Sequence, residues 1–138
     1  MKKEKQNLKY KILLILFVII LICSFILSFI PVEQACKITI GSCIKVHASD
    51  YDHIFGIKNS YFGLIAFGVL FVLTILQMKN PSKTKNQIIL AGLVIGTLVA
   101  LYFLYVQFII LHAVCMYCLT VDFATILSLL VFLFVKEK

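Results

Sequence analysis

Apolar residues in this chain come in long runs separated by short polar segments. Ile12 to Ile30 is almost unbroken Ile, Leu, Phe and Val, and further runs occupy 61–78, 88–111 and 115–135. Each is close to the roughly 20 residues a helix needs to cross the hydrocarbon core of a bilayer. In lipid, a helix satisfies its backbone N–H and C=O groups within its own segment. The pattern therefore predicts an all-α integral membrane four-helix bundle. It forms one domain over 1–138, with spans at about 12–30, 61–78, 88–111 and 115–135. The longest polar segment, 31–58, lies between the first two spans. KNPSKTKNQ (79–87) joins the second and third, with Pro81 as a breaker. Only a few residues separate the third span from Cys115, so the last two spans read as a tight helical hairpin. A basic head before an apolar run also resembles a signal peptide. Here the run is long and ends in Phe29-Ile30-Pro31 without a small-residue cleavage pattern, so a retained first span is expected.

Composition supports the membrane reading. The chain is 62% hydrophobic and 14% charged, with a mean hydropathy of +1.08, which leaves too little polar sequence for a separate soluble domain. The net charge of +7 comes from lysine alone. The lysines flank apolar runs and form no basic stripe interleaved with aromatic residues, which argues against nucleic-acid binding. Ten of the 13 lie in the N-terminal tail, the 79–87 turn and the C-terminal tail; Lys37, Lys45 and Lys58 lie in 31–58. The positive-inside rule then puts both termini in the cytoplasm and the 31–58 loop on the extracytoplasmic side, together with the Cys115 end of span four. Four of the five cysteines thus fall at one oxidising face, although the cysteines played no part in the assignment.

Cys23 stands alone in the middle of span one and reads as packing. The others form two candidate pairs, Cys36 with Cys43 and Cys115 with Cys118. Two cysteines three apart on a helix share a face, and the N–H groups at a helix start favour the reactive thiolate. Two structural disulfides are the bland alternative for an outward-facing protein. Zinc is another, although the step from Cys36 to Cys43 exceeds the usual knuckle spacing. Two pairs at one membrane face also suit a relay in which thiolate–disulfide exchange passes two electrons from a loop pair to a pair at the bilayer edge. An organic carrier such as a quinone must then receive them.

Polar residues near Cys115 add detail. Asp122 is a carboxyl inside a span and a functional candidate for that reason. It can take a proton, hydrogen-bond a quinone oxygen while protonated, or pair with a polar group on a neighbouring span. His112, when charged, is placed to lower the pKa of Cys115, or is simply interfacial. His47 and His53 read as solvated loop residues. Gly92 and Gly96 form a G-x-x-x-G expected to serve packing within the bundle rather than dimerisation.

Cys43-Ile-Lys-Val-His47-Ala-Ser49-Asp-Tyr51, then Phe55-Gly56-Ile-Lys-Asn59-Ser60-Tyr-Phe-Gly63, then Cys115-Met-Tyr-Cys118, resemble the vitamin K epoxide reductase family, and within it the bacterial single-domain members. The resemblance covers nearly the whole chain. The DsbB-like quinone-linked oxidases carry their C-x-x-C before the loop pair, the reverse of the order here. The resemblance implies that Cys115 and Cys118 are the active-site disulfide beside a quinone, and that Cys36 and Cys43 are a shuttle pair. It implies a mixed disulfide between Cys43 and Cys115, with Cys118 nearest the quinone. Ser49 matches an active-site Ser/Thr position, and Asn59 a position that hydrogen-bonds the quinone carbonyl. Tyr51 and Phe55 match aromatic positions that close the site. Asp122 departs from the tyrosine of vertebrate members, so the resemblance does not extend to vitamin K epoxide specificity, while generic quinone reduction stands and Asp122 joins the candidate quinone-binding residues.

The implied function is a membrane thiol–disulfide oxidoreductase. It oxidises an extracytoplasmic thioredoxin-fold, DsbA-like partner and passes the electrons to menaquinone or ubiquinone, with no metal. Bacterial members often carry a fused thioredoxin-like domain; this sequence ends at Lys138, so a separate partner protein is expected. A DsbB-like oxidase and a non-enzymatic Cys/His metal-binding membrane protein are the alternatives.

Overall fold

The computed structural model describes residues 2–31, 34, 53–113 and 115–135. Four helices dominate: α1 (Lys2–Phe29), α2 (Asn59–Lys79), α3 (Lys83–Tyr105, continued by a π-helical turn at Val106–Ile110) and α4 (Met116–Phe134). All four are long and apolar enough to cross a bilayer. The chain is a helical, multi-pass membrane protein.

Two boundaries differ from the hydropathy pattern. Helix α1 begins ten residues before Ile12, taking in the basic tail, and α3 begins at Lys83 inside the expected turn. Hydropathy marks where a helix can sit in lipid, not where it starts. Lys, Glu and Gln are good helix formers outside the membrane. The extension is also packed: Tyr10 is fully buried and donates its hydroxyl to Asn86 Oδ1 at 2.9 Å. The Lys9 ammonium lies 3.9 Å from the centre of the Phe132 ring, tying the start of α1 to the end of α4. The α2–α3 turn shrinks to residues 80–82, closed by Ser82 N donating to Gln77 Oε1 at 3.0 Å.

Each helix buries one stripe. On α1 it runs Tyr10, Leu13, Phe17, Ile20, Ser24, Leu27, a three-four alternation that faces a neighbour turn after turn. On α3 the buried residues are Ile89, Leu93 and Ala100. Large apolar residues such as Ile15, Ile22, Ile65 and Ile95 stay exposed, as lipid-facing positions do. Polar side chains turn inward instead, and Thr74, Thr125 and Ser128 satisfy their hydroxyls on carbonyls one turn back, each at 2.7 Å.

Helix α1 packs against α2 and α4, and α3 against α4; the contact between α2 and α3 is thinner. Gly92 lets α3 approach α2, since a Cβ there would sit 2.7 Å from Leu70 Cδ2. Gly96 faces Thr125 of α4 and Phe67 of α2. The G-x-x-x-G therefore packs inside the bundle.

At the opposite end from the α2–α3 turn, a two-stranded hairpin (β1, His53–Ile54; β2, Ile57–Lys58) leads into α2. Its turn residues Phe55 and Gly56 both have positive φ, 53° and 80°, as the tightest hairpin turn requires. Tyr61 donates to the Ser28 carbonyl at 3.0 Å, holding the start of α2 against the end of α1. The end of α3 and the start of α4 lie at this same end of the bundle.

Candidate active site

The fourth helix starts at the C-x-x-C. Cys115 is its N-cap residue, with extended backbone (φ −100°, ψ 118°), and its Sγ accepts the N–H of Cys118 at 3.5 Å. That N–H is one of the groups a helix start leaves without an intrahelical partner. A sulfur in this position feels the positive end of the helix dipole. Cys115 is fully buried, and Leu111, Tyr117 and Cys118 pack against it and Ala113.

Above it, α3 does not end as an ordinary helix. In the π turn, Leu111 N bonds to Val106 O at 2.9 Å, and Ala113 N to Gln107 O at 3.0 Å. His112 then takes a positive φ of 48°. Gln107, in this turn, is inside the bundle and 1% exposed, and π turns recur at functional sites. Gln107 Oε1 accepts the backbone N–H of Cys115 at 3.1 Å, and its Nε2 donates to Asp122 Oδ2 at 3.4 Å. One side chain thus joins the backbone of the sulfur pair to the carboxyl buried a turn and a half into α4.

Asp122 also lines a cavity of about 700 Å³ between α2 and α3. Its walls are mostly apolar, with Phe62, Phe67, Leu70, Val99 and Phe103 among them; the polar side chains are Asn59 at the start of α2, Asp122 and Thr125. Gly63, Gly92 and Gly96 lie on the wall too.

Of the residues singled out in the sequence, Asn59, Asp122, Cys115 and Cys118 gather at this end of the bundle. Phe55 does not join them: it is 98% exposed at the hairpin tip and absent from the cavity wall. His53 and His112 are exposed, and the Cys115 backbone N–H is held by Gln107. Cys36, Cys43, His47, Ser49 and Tyr51 lie outside the described residues. Gln107 went unremarked in the sequence, yet a signal existed. It is the lone amide in its apolar run, and it continues the α3 stripe of Ile89, Leu93, Gly96, Ala100 and Phe103 at three- and four-residue steps.

Four spans, a C-x-x-C capping the last of them and a buried polar link from that pair to an apolar cavity define a redox protein of the membrane. The chain belongs to the vitamin K epoxide reductase family, whose model matches residues 11–133. Members of this family are membrane oxidoreductases, generally linked to quinones and to thioredoxin-like partners. Comparison with curated proteins finds no match.

Proposed function

We propose that the chain is a quinone-linked thiol–disulfide oxidase that takes electrons from an extracytoplasmic thioredoxin-fold protein and so supports disulfide bond formation. One observation carries the reading: the Gln107 side chain connects Cys115 to Asp122, and Asp122 lines the cavity. Sulfur couple and cavity are parts of a single site.

The cavity suits a flat lipophilic ring bearing carbonyl oxygens. Its volume is in the range of small-molecule pockets, and its apolar walls are interrupted by a few polar groups. Asn59 would donate to a carbonyl oxygen, Asp122 would hold or give up a proton, and Phe62 and Phe67 would supply apolar wall. A bound quinone supplies the acceptor for the two electrons and two protons released when the Cys115–Cys118 disulfide re-forms.

The cysteines perform the exchange. A thiolate of the partner attacks the Cys36–Cys43 disulfide, and the partner's second thiol resolves the mixed disulfide, leaving the partner oxidised and the loop pair reduced. The Cys43 thiolate attacks Cys115 Sγ, and Cys118 departs as a thiolate. Cys36 then attacks Cys43, which closes the loop disulfide and releases Cys115 as a thiolate. The N-cap position of Cys115, beside the N–H of Cys118, stabilises that negative sulfur. In this scheme Ser49 acts at the active site, and Tyr51 is one of the aromatic residues that close it. The lysine distribution supports placing both pairs on the extracytoplasmic side, with the termini in the cytoplasm.

The test uses four single variants, Cys36→Ala, Cys43→Ala, Cys115→Ala and Cys118→Ala, assayed with a reduced DsbA-like protein and a soluble quinone. Each is expected to abolish oxidation of that protein. With dithiothreitol as direct reductant, the two loop variants should still reduce quinone while the two α4 variants should not. Oxidation of the DsbA-like protein by all four variants would overturn the relay.

A further inference from the structure

We infer that Gln107 is a positioning residue for the reaction proposed above, its amide locking the Cys115 backbone and the Asp122 carboxyl into one arrangement. This rests on that reading of the site. The geometry is specific. The amide presents an acceptor on one side and a donor on the other, and both are used: Oε1 by Cys115 N–H at 3.1 Å, Nε2 by Asp122 Oδ2 at 3.4 Å. All three residues are buried. A hydrocarbon side chain would remove both of these bonds from the bundle interior, where water does not replace them. Gln107 lies on the buried stripe of α3, and the π turn of Val106–Ile110 includes it at the depth of the α4 start. Seven residues separate Cys115 from Asp122, so α4 alone fixes their spacing but not the orientation of the carboxyl; Gln107 supplies that orientation.

A side chain that only filled space would admit isosteric Glu with no cost that depends on Asp122, beyond that of burying a carboxyl. A positioning amide would not, because Glu has a donor only when protonated. In Gln107→Glu at acid pH, one oxygen accepts from Cys115 N–H and the protonated oxygen donates to Asp122. At alkaline pH two carboxylates face each other and repel. The other titratable groups around this cluster among the described residues are few. Helix α4 brings Cys115, Cys118 and Tyr117, and α1 brings Cys23, which is within electrostatic reach of Cys115. The cavity walls contributed by α2 and α3 carry no titratable side chain. His112 is exposed beyond the π turn.

The experiment follows quinone reduction by purified protein with dithiothreitol and a short-chain naphthoquinone, as a ratio of variant to native across pH. Gln107→Glu is expected to stay near the native rate at acid pH and to fall by about tenfold or more at alkaline pH, reversibly. The fall should vanish in Gln107→Glu/Asp122→Asn relative to Asp122→Asn alone. A ratio that is flat with pH, or an alkaline fall that survives Asp122→Asn, overturns the inference. A second readout needs no turnover: the infrared carboxyl band that disappears in Asp122→Asn should shift in Gln107→Leu, and in Gln107→Glu between acid and alkaline pH. A band that stays at its native position in both variants overturns the link. If native protein reduces no quinone, the proposed function fails on its own and the band alone decides the part played by Gln107.

Discussion

Asp122 shows how much one buried polar atom commits its neighbours. Asp122→Ala leaves the Gln107 Nε2 donor without its partner in the bundle interior, and the expected cost is about 1–3 kcal/mol of stability. Asp122→Asn keeps an acceptor at the same place and should cost less, while slowing quinone reduction by about tenfold or more through loss of an acid–base group. Thermal unfolding in detergent and the quinone assay separate the two effects; equal destabilisation by Ala and Asn would contradict the hydrogen bond. Phe55 offers a second residue-scale test. Its φ of 53° suits Asn better than Phe, and its side chain is almost wholly exposed. Phe55→Asn should therefore stabilise the hairpin by about 1 kcal/mol, seen as a higher unfolding temperature. A fall would mean that the ring is held by contacts. Cys115, Cys118 and Asp122 stood out in the sequence because a carboxyl is costly in lipid and the C-x-x-C spacing is distinctive. Gln107 was harder to see, because an uncharged amide near a span end carries no charge or reactive group to mark it, even on the stripe that periodicity faces inward.

At the scale of elements, the apolar runs gave four helices in the right order, and the G-x-x-x-G gave close packing. Helix ends were less legible. The start of α1 at Lys2 follows from packing of Tyr10 on Asn86, and the π turn at Val106–Ile110 inserts a register change that three-four periodicity does not announce. The glycines of α2 and α3 carry separable consequences. Gly68 meets nothing within 4 Å of an added Cβ, so Gly68→Ala should stabilise by up to about 1 kcal/mol through helix propensity alone. Gly92→Ala must displace the Leu70 side chain, which lines the same cavity. Its propensity gain offsets part of that strain, so stability should change little while the KM for quinone rises. An unchanged KM in Gly92→Ala would show that the wall at Leu70 does not bear on the acceptor.

The whole molecule turns a soluble protein's logic inside out. Its lipid-facing exterior is apolar, and its buried stripes add Ser24, Ser28, Thr74, Thr125, Ser128, Gln107 and Asp122 to an apolar core. That arrangement leaves the sulfur pair, the amide, the carboxyl and the cavity at the end where the chain emerges from α1 and returns through the hairpin. In the proposed reading the two cysteine pairs meet at this end, and the lysine distribution supports an extracytoplasmic placement for it. The most direct test of this account is disulfide trapping in Cys118→Ala, read by non-reducing electrophoresis and peptide mass spectrometry. The account predicts that a Cys43–Cys115 linkage accumulates and disappears on further substitution of Cys43. Labelling of Cys115 as a thiol in that variant, with Cys36 and Cys43 still joined to each other, would contradict it.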